Sequence, residues 1–402
     1  MKRFFERLVE SILTVSGTIT TLIILLMVIF LFKEGLGFFR NSNIEKAYSL
    51  AVNSENPVNE LSSKQIKLIF DYEITHWNEV GGSDEEIVPF RLDEIFSRYS
   101  DEELGEDYEY LPEKLNEVIE ETPGIVAFIP TQYLPENQSG KPIQSNVLKT
   151  DNLSFSDFFQ GTEWLPTATP APQFGLMPLL MGTLWVSLFA ILIALPLGLG
   201  VAVYLSELAG KRMRQFLKPT IELLAGIPSV VYGFFGLVVL APFVQNLLHL
   251  PVGETAFTGS LVLAIMALPT IITIAEDAMQ NTPQAMREAS LGLGANHWQT
   301  IYRVVIPYSA SGISAAVVLG IGRAIGETMA VLMVTGNAAV IPHSLFEPVR
   351  TIPATIAAEL GEAPAGGSHY QALFLLACIL FVITMIISIS AEMISKRQPK
   401  GL

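Results

Sequence analysis

The sequence predicts an all-α polytopic membrane protein of six transmembrane helices, with an α/β extracytoplasmic domain inserted after the first. Three observations carry this expectation. Six runs contain no Asp, Glu, Lys or Arg: Ser11 to Phe32, Leu165 to Ser206, Leu223 to Gly253, Thr255 to Ala275, Val304 to Gly322 and Tyr370 to Ala391. Basic residues gather between alternate runs, and the chain's acidity is confined to one stretch that also carries aromatic clusters.

Each uncharged run is long enough to cross a bilayer, which takes about 20 helical residues. A water-facing helix of that length would show charge every turn or two on its wet face. The first run follows the basic start Met-Lys-Arg-Phe-Phe-Glu-Arg. It is longer than a signal-peptide core and no Ala-x-Ala-like site follows it, so a retained anchor is expected. Basic clusters fall at Lys2, Arg3 and Arg7, at Lys211, Arg212, Arg214 and Lys218, at Arg287 and Arg303, and at Lys396, Arg397 and Lys400. The positive-inside rule then places both termini in the cytoplasm and residues 41–175 outside it. The expected organisation is a cytoplasmic end and first helix over 1–40, an acidic inserted domain with a Pro-rich linker over 41–175, and a five-helix membrane core over 176–402 whose cytoplasmic loop covers 283–307.

Between Asn41 and Gly175 there are 25 acidic and 8 basic residues, against 14 and 16 in the rest of a chain whose net charge is −15. A segment so acidic avoids nucleic acid and anionic lipid. Tyr72, Trp77, Phe90, Ile95, Phe96, Ile125, Val126, Phe128 and Ile129 give it a candidate core. Gly124 to Ile129 reads as a buried strand and Asp101 to Glu121 as a helical stretch. The Pro- and Thr-rich stretch from Pro166 to Pro178 reads as a stiff, extended approach to the second span.

Several chemistries are excluded by what the chain contains. The single cysteine, Cys378, lies inside the last apolar run, and the five histidines form no His-Glu-x-x-His pair, so no disulfide within the chain and no metal site is expected. No Gly-x4-Gly-Lys-Ser/Thr string occurs. Gly320-Ile-Gly322-Arg-Ala-Ile-Gly326 has the wrong spacing for a dinucleotide fingerprint and lies within an apolar span, where small residues permit close helix packing.

Three motifs carry candidate function. The loop from Arg287 to Pro307 reads as two short helical pieces hinged at Gly294, a residue free to take positive φ, with Leu291, Leu293 and Trp298 as apolar knobs. An interfacial amphipathic helix is the plainer alternative. Arg323 and Glu327 place two opposite charges deep in the fifth span, at a spacing that puts both on one helix face. Such charges usually face a partner or a watery path, and an ion pair that only fixes packing is the alternative. Gly226, Pro228, Gly233 and Gly236 surround Ser229 with helix breakers at the start of the third span, either as a broken helix that aims N–H groups at an anion or as an ordinary proline kink.

Glu288, Ala289, Ser290, Gly294, Val304, Ile306 and Pro307 match, anchor by anchor, the coupling motif of ABC importer permeases. The strings Ala225 to Gly233 and Gly322 to Ala330 resemble the membrane subunits of high-affinity phosphate importers, of the PstC type, over roughly residues 176 to 395. The resemblance implies an ABC importer type I permease fold with Arg323, Glu327, Ser229 and Thr328 along the path of inorganic phosphate. It further implies that Glu288, Ala289, Gly294 and Pro307 engage an ATPase. The partners it implies are a second permease subunit, two ATPase subunits that hold ATP and Mg, and an extracytoplasmic phosphate-binding protein. No cofactor is expected on this chain, which would be no enzyme by itself.

The insertion is longer than the family's usual external loop. Leu50 to Val58, Leu61 to Phe70, Ile74 to Gly82 and Thr122 to Phe128 resemble part of a phosphate-binding protein, without its phosphate-gripping loop, which implies docking. A membrane-anchored phosphate sensor, or a permease for a related oxyanion, stays open as an alternative.

Overall fold

The computed structural model describes residues 2–40, 48–133, 145–150 and 154–396. Arg397 and Lys400 of the C-terminal basic cluster, and the expected domain boundary at 40/41 on its C-terminal side, lie outside the described residues. The chain divides into two compact units, one of Met1–Gly161, Leu165–Gly175 and Ala363–Ala372, the other of Thr162–Trp164, Leu176–Glu362 and Leu373–Leu402.

The first unit opens with α1 (Lys2–Gly37). Its apolar side chains from Ile12 to Phe30 are exposed around the helix, as for a span bathed in lipid. The hydroxyls of Thr14, Thr18, Thr20 and Thr21 donate to carbonyls four residues back, so these polar groups are satisfied within the helix.

The rest of this unit contains the strands β1 (Tyr48–Asn53), β2 (Glu60–Leu61), β3 (Val88–Arg91), β4 (Ile125–Pro130), β5 (Ser145–Val147), β6 (Lys149–Thr150), the second residue of β7 (Trp164–Leu165) and β8 (Gln173–Phe174). Its helices are α2 (Ser63–Phe70), α3 (Ile95–Arg98), α4 (Asp101–Leu104), α5 (Leu111–Glu121) and α6 (Phe155–Gln160). The main sheet has the order β3-β4-β1-β5, with β1 antiparallel to both its neighbours and β3 parallel to β4. Successive strand residues face opposite sides, and this builds two cores. Leu50, Val52, Val126 and Phe128 pack with Ile66, Ile69 and Trp77. Ala51, Ile125, Ala127 and Ile129 pack with Leu111, Leu115, Val118 and Ile119 of α5. Trp77 is fully buried and its Nε1 donates to the Gly124 carbonyl at 2.9 Å, which ties its loop to the start of β4.

Two expectations for this unit change. The helical stretch from Asp101 to Glu121 is two helices, because Gly105 turns the chain at φ +88°. The Pro-rich stretch is folded back, not extended: Ala171 is buried in the first core and Gln173 donates to Ser63 Oγ and to the Ala171 carbonyl. Burying that apolar residue outweighs the tendency of a Pro-rich segment to stand free.

The second unit is helical: α7 (Met177–Val203), α8 (Lys211–Ala225), α9 (Ser229–Phe235), α10 (Ala241–Leu248), α11 (Ala256–Gln280), α12 (Gln284–Gly292), α13 (His297–Thr300), α14 (Ile306–Gly326), α15 (Met329–Val334), α16 (Ile352–Glu359) and most of α17 (Ser368–Lys396). Pro178 sits in the first turn of α7, where its missing N–H has no partner to lose. Wide π-turns join α9 to α10 and α13 to α14. Among the described residues six segments are long and apolar enough to cross a membrane: Glu10–Arg40, Met177–Leu208, Ser229–Leu248, Ala256–Gln280, His297–Gly326 and Ser368–Ser390. The fourth, α11, is the most buried, with α7 and α14 packed along it. Small residues make this possible: a Cβ on Gly198 or Gly320 would lie 2.8 Å from Ile271, and one on Gly312 would collide with the Ala278 Cβ.

Candidate functional site

The close approaches between α11 and the chain from α14 onward form an antiparallel ladder. Gly312 lies against Ala278, Gly320 against Ile271, Arg323 against Thr270, and Thr335 against Gly259. Thr270 is just past the middle of α11, so Arg323 stands near mid-depth of the bundle. Just beyond it the helix breaks. Gly326 ends α14, Glu327 takes an extended conformation (φ −71°, ψ 129°), and the chain resumes as α15 at Met329.

This break alters the expected geometry of the charged pair. Arg323 and Glu327, the last charged residue of α14 and the residue that caps it, form no ion pair with each other. Arg323 Nη1 instead donates to Thr270 Oγ1 at 3.4 Å. Glu327 Oε1 accepts from the Ala330 N–H in the first turn of α15 at 3.5 Å, and Thr328 Oγ1 donates to the Gly326 carbonyl at 3.3 Å. Arg323, Glu327 and Thr328 are all half-buried. Gly326 and Thr328 border an open pocket of about 540 Å³ that is also lined by Pro353, Ile356 and Leu360 and by Leu380 of α17, and neither Arg323 nor Glu327 lines it.

Ser229 is the first residue of α9, directly after Pro228. The gap between α8 and α9 is fixed by Tyr232, whose hydroxyl donates to the Leu224 carbonyl at 2.8 Å. A Cβ on Gly233 would lie 2.8 Å from Met333 Sδ and 3.0 Å from Ala330 Cα, so α9 lies directly on α15. Two interrupted helices therefore adjoin, although no hydrogen bond links Ser229 to Arg323, Glu327 or Thr328.

At the other end of α14, Gly294 takes φ +88°. Its N–H bonds to the Leu291 carbonyl at 3.0 Å and the Ala295 N–H reaches the Ser290 carbonyl at 3.2 Å, the paired bonds of a glycine helix stop. Asn296 and Gln299 form a capping box that restarts the chain as α13, and Ser290 Oγ lies 3.0 Å from Thr300 Oγ1 across the two helices. Leu293 is 90% exposed, Trp298 62% and Leu291 39%. Beside these knobs runs a groove of about 550 Å³ lined by Ala289, Leu293, Gly294, Gln299 and Arg303. Glu288 and Ala289 are exposed on α12, and Pro307 is exposed in the first turn of α14, immediately after the π-turn.

The family described as "Binding-protein-dependent transport system inner membrane component" matches residues 194–399, half of the chain, from the middle of α7 to its end. This chain belongs to that family. Its relatives include the probable ABC transporter permease protein YqgH of Bacillus subtilis, 38% identical over 258 residues that cover 64% of this chain and 82% of that protein. The phosphate transport system permease protein PstC of Mesorhizobium japonicum is 42% identical over 249 residues, covering 57% and 75%. PstC 1 of Mycobacterium tuberculosis is 34% identical over 309 residues, covering 68% and 91%. A second family, the "PBP superfamily domain", matches residues 46–138 in the first unit.

Sequence reasoning missed how the permease anchors its exposed loop. Arg287 bonds Glu207 at 2.8 Å and the Thr282 and Met279 carbonyls at 3.0 and 2.9 Å, which fixes the start of α12 to the end of the α7 span. Beneath it, the fully buried carboxylate of Glu276 holds Arg214 at 3.1 Å and Lys218 at 3.0 Å, and Asp277 holds Lys218 at 2.9 Å. Burial pulls the Lys218 pKa down, but its bonds to Asp277 and Glu276 outweigh this and leave it raised. The available signal was Glu276, the first charge after an uncharged run, opposite the cations of α8.

Proposed function

We propose that this permease carries inorganic phosphate inward across the cytoplasmic membrane as one of two membrane subunits of an ABC importer. The observation that carries the reading is Arg323, a guanidinium near mid-depth of the bundle, with no carboxylate partner among the described residues, beside two interrupted helices. A guanidinium is permanently charged and presents a planar fork that suits phosphate oxygens. Broken helices at mid-membrane are a recurrent way to build a substrate path. The PstC proteins, which carry phosphate transport in their names, are relatives that support this substrate.

In this reading both termini are cytoplasmic, and α12 and α13 dock an ATPase through Leu293, Trp298 and the groove beside them. Glu288, Ala289, Gly294 and Pro307 set the shape of that surface. ATP and Mg bind on two ATPase subunits, and this chain holds no cofactor of its own. Closure of the ATPases pushes on the α12–α13 hinge, and Arg287 and Glu276 pass the displacement to α7, α8 and α11. Residues 41–175 lie outside the membrane and receive a phosphate-binding protein, a use supported by their match to the binding-protein superfamily.

The test is ATP-driven uptake of labelled phosphate into vesicles carrying the whole complex, with arsenate, molybdate and sulfate as competitors. Arsenate, which shares phosphate's charge and shape, is expected to compete and sulfate is not. Sulfate or molybdate accumulation without phosphate uptake would contradict the assignment.

A further inference from the structure

We propose that Thr270 is a positioning residue of the transport path, which holds one edge of the Arg323 guanidinium so that its remaining donors stay open to the passing anion. The inference rests on the reading that phosphate passes Arg323.

The first ground is what Arg323 lacks. A guanidinium carries five N–H donors, and its one hydrogen bond among the described residues is from Nη1 to Thr270 Oγ1 at 3.4 Å. An uninterrupted helix would set the Glu327 carboxylate four residues on, over the same face. Glu327 instead caps the end of α14, and its carboxylate accepts from the Ala330 N–H of the next helix. Among the described residues, an anion arriving at Arg323 therefore has no ion pair to displace.

The second ground is what Thr270 does with its hydroxyl. Hydroxyls elsewhere in the second unit commonly donate to a carbonyl four residues back, as Thr183, Ser187, Ser260 and Thr335 do. Thr270 makes no such bond. It uses a lone pair on Arg323 and keeps its proton free as a further donor beside the guanidinium. It is also well placed to be rigid: Pro269 precedes it, and Ile271, one residue on, is fully buried and clamped by Gly198 and Gly320. Of the χ1 rotamers open to a helical threonine, Thr270 takes the one that turns its hydroxyl to Arg323.

The experiment uses the complete complex in proteoliposomes with saturating binding protein, and measures the initial rate of ATP-driven labelled phosphate uptake. Thr270→Val keeps the shape and removes the hydroxyl, and is expected to lower uptake about tenfold, the effect of losing one hydrogen bond to a charged group. Thr270→Ser restores the hydroxyl and is expected to stay within about twofold of the parent. Co-purification of all subunits is checked for each variant, and Thr270→Ala replaces the valine should that one fail to assemble. Parental uptake by the assembled hydroxyl-free variant would overturn the proposal, as would a serine variant no better than valine, which would mark Thr270 as a packing residue. Normal uptake by Arg323→Ala is a separate result, which removes the path reading itself.

Discussion

Gly294 and Glu327 show what single residues disclose before a structure is known. A glycine between two short helical pieces, with the next helix's cap two residues on, has few uses other than a left-handed turn, and Gly294 takes that turn. Replacing it with valine sets a β-branched residue where L side chains cost about 1–2 kcal/mol. Gly294→Val is expected to assemble with its ATPases yet hydrolyse ATP with little transport. ATPase and uptake rates measured on one preparation check this, and normal coupling would make Gly294 an ordinary surface glycine. Glu327 was less legible. Its spacing from Arg323 offers an ion pair, but its carboxylate accepts from the Ala330 N–H at the start of α15, whose Ala330, Val331 and Val334 pack against α9 and α11. That competition is tertiary and leaves no mark at the two residues. Arg323→Ala and Arg323→Gln are expected to abolish phosphate uptake in complexes that still assemble, whereas Glu327→Gln, which can still accept from the Ala330 N–H, should retain part of it.

Among the elements, α11 gives the bundle its register, and its last turn carries the charges that hold α8. Glu276→Gln leaves Arg214 and Lys218 without that carboxylate. Breaking a buried pair costs about 3–5 kcal/mol, but the two cations are 35% and 27% exposed, so a loss of about 1–3 kcal/mol is expected. Denaturant unfolding of the purified complex would show it. Lys218 also fixes the pH behaviour of this link. Its pKa is raised on folding, so its contribution is complete below the ordinary lysine value and is lost only as pH rises through the higher folded value. The link should be constant between about pH 6 and 9, well below the ordinary lysine value, and loss of the wild-type link's contribution in that window would assign it to other groups. The spans themselves were legible because lipid forbids charge over some twenty residues. The glycine string from Gly320 to Gly326 was only partly so. Gly320 meets Ile271 as close packing requires, but a Cβ added at Gly322 or Gly326 would meet nothing within 4 Å, and Gly326 serves the helix break.

The whole molecule joins a lipid-facing bundle to a unit with a water-soluble core, and these obey opposite burial rules. In the second unit Leu188, Leu192 and Phe234 are more than half exposed, while the sheet of the first unit buries apolar residues on both faces. Of its strands β4 could be read, from the apolar run after Gly124. The return of residues 166–175 onto it could not, because Pro-rich composition describes a free chain and one buried alanine decides otherwise. Residues 43–175 expressed alone are therefore expected to unfold in a single cooperative transition, while 43–163, which lacks Ala171 and Gln173, should be less stable. Non-cooperative melting of the longer piece would contradict the two-core description. In the proposed mechanism Arg323 serves a phosphate path driven by ATPases docked on α12 and α13. The most direct measurement is the initial rate of labelled phosphate accumulation in proteoliposomes of the complete complex, with ATP and binding protein supplied, for the parent and Arg323→Ala. Accumulation by the parent is expected to vanish without ATP and to be absent in an assembled Arg323→Ala complex. Equal accumulation by both would contradict that mechanism.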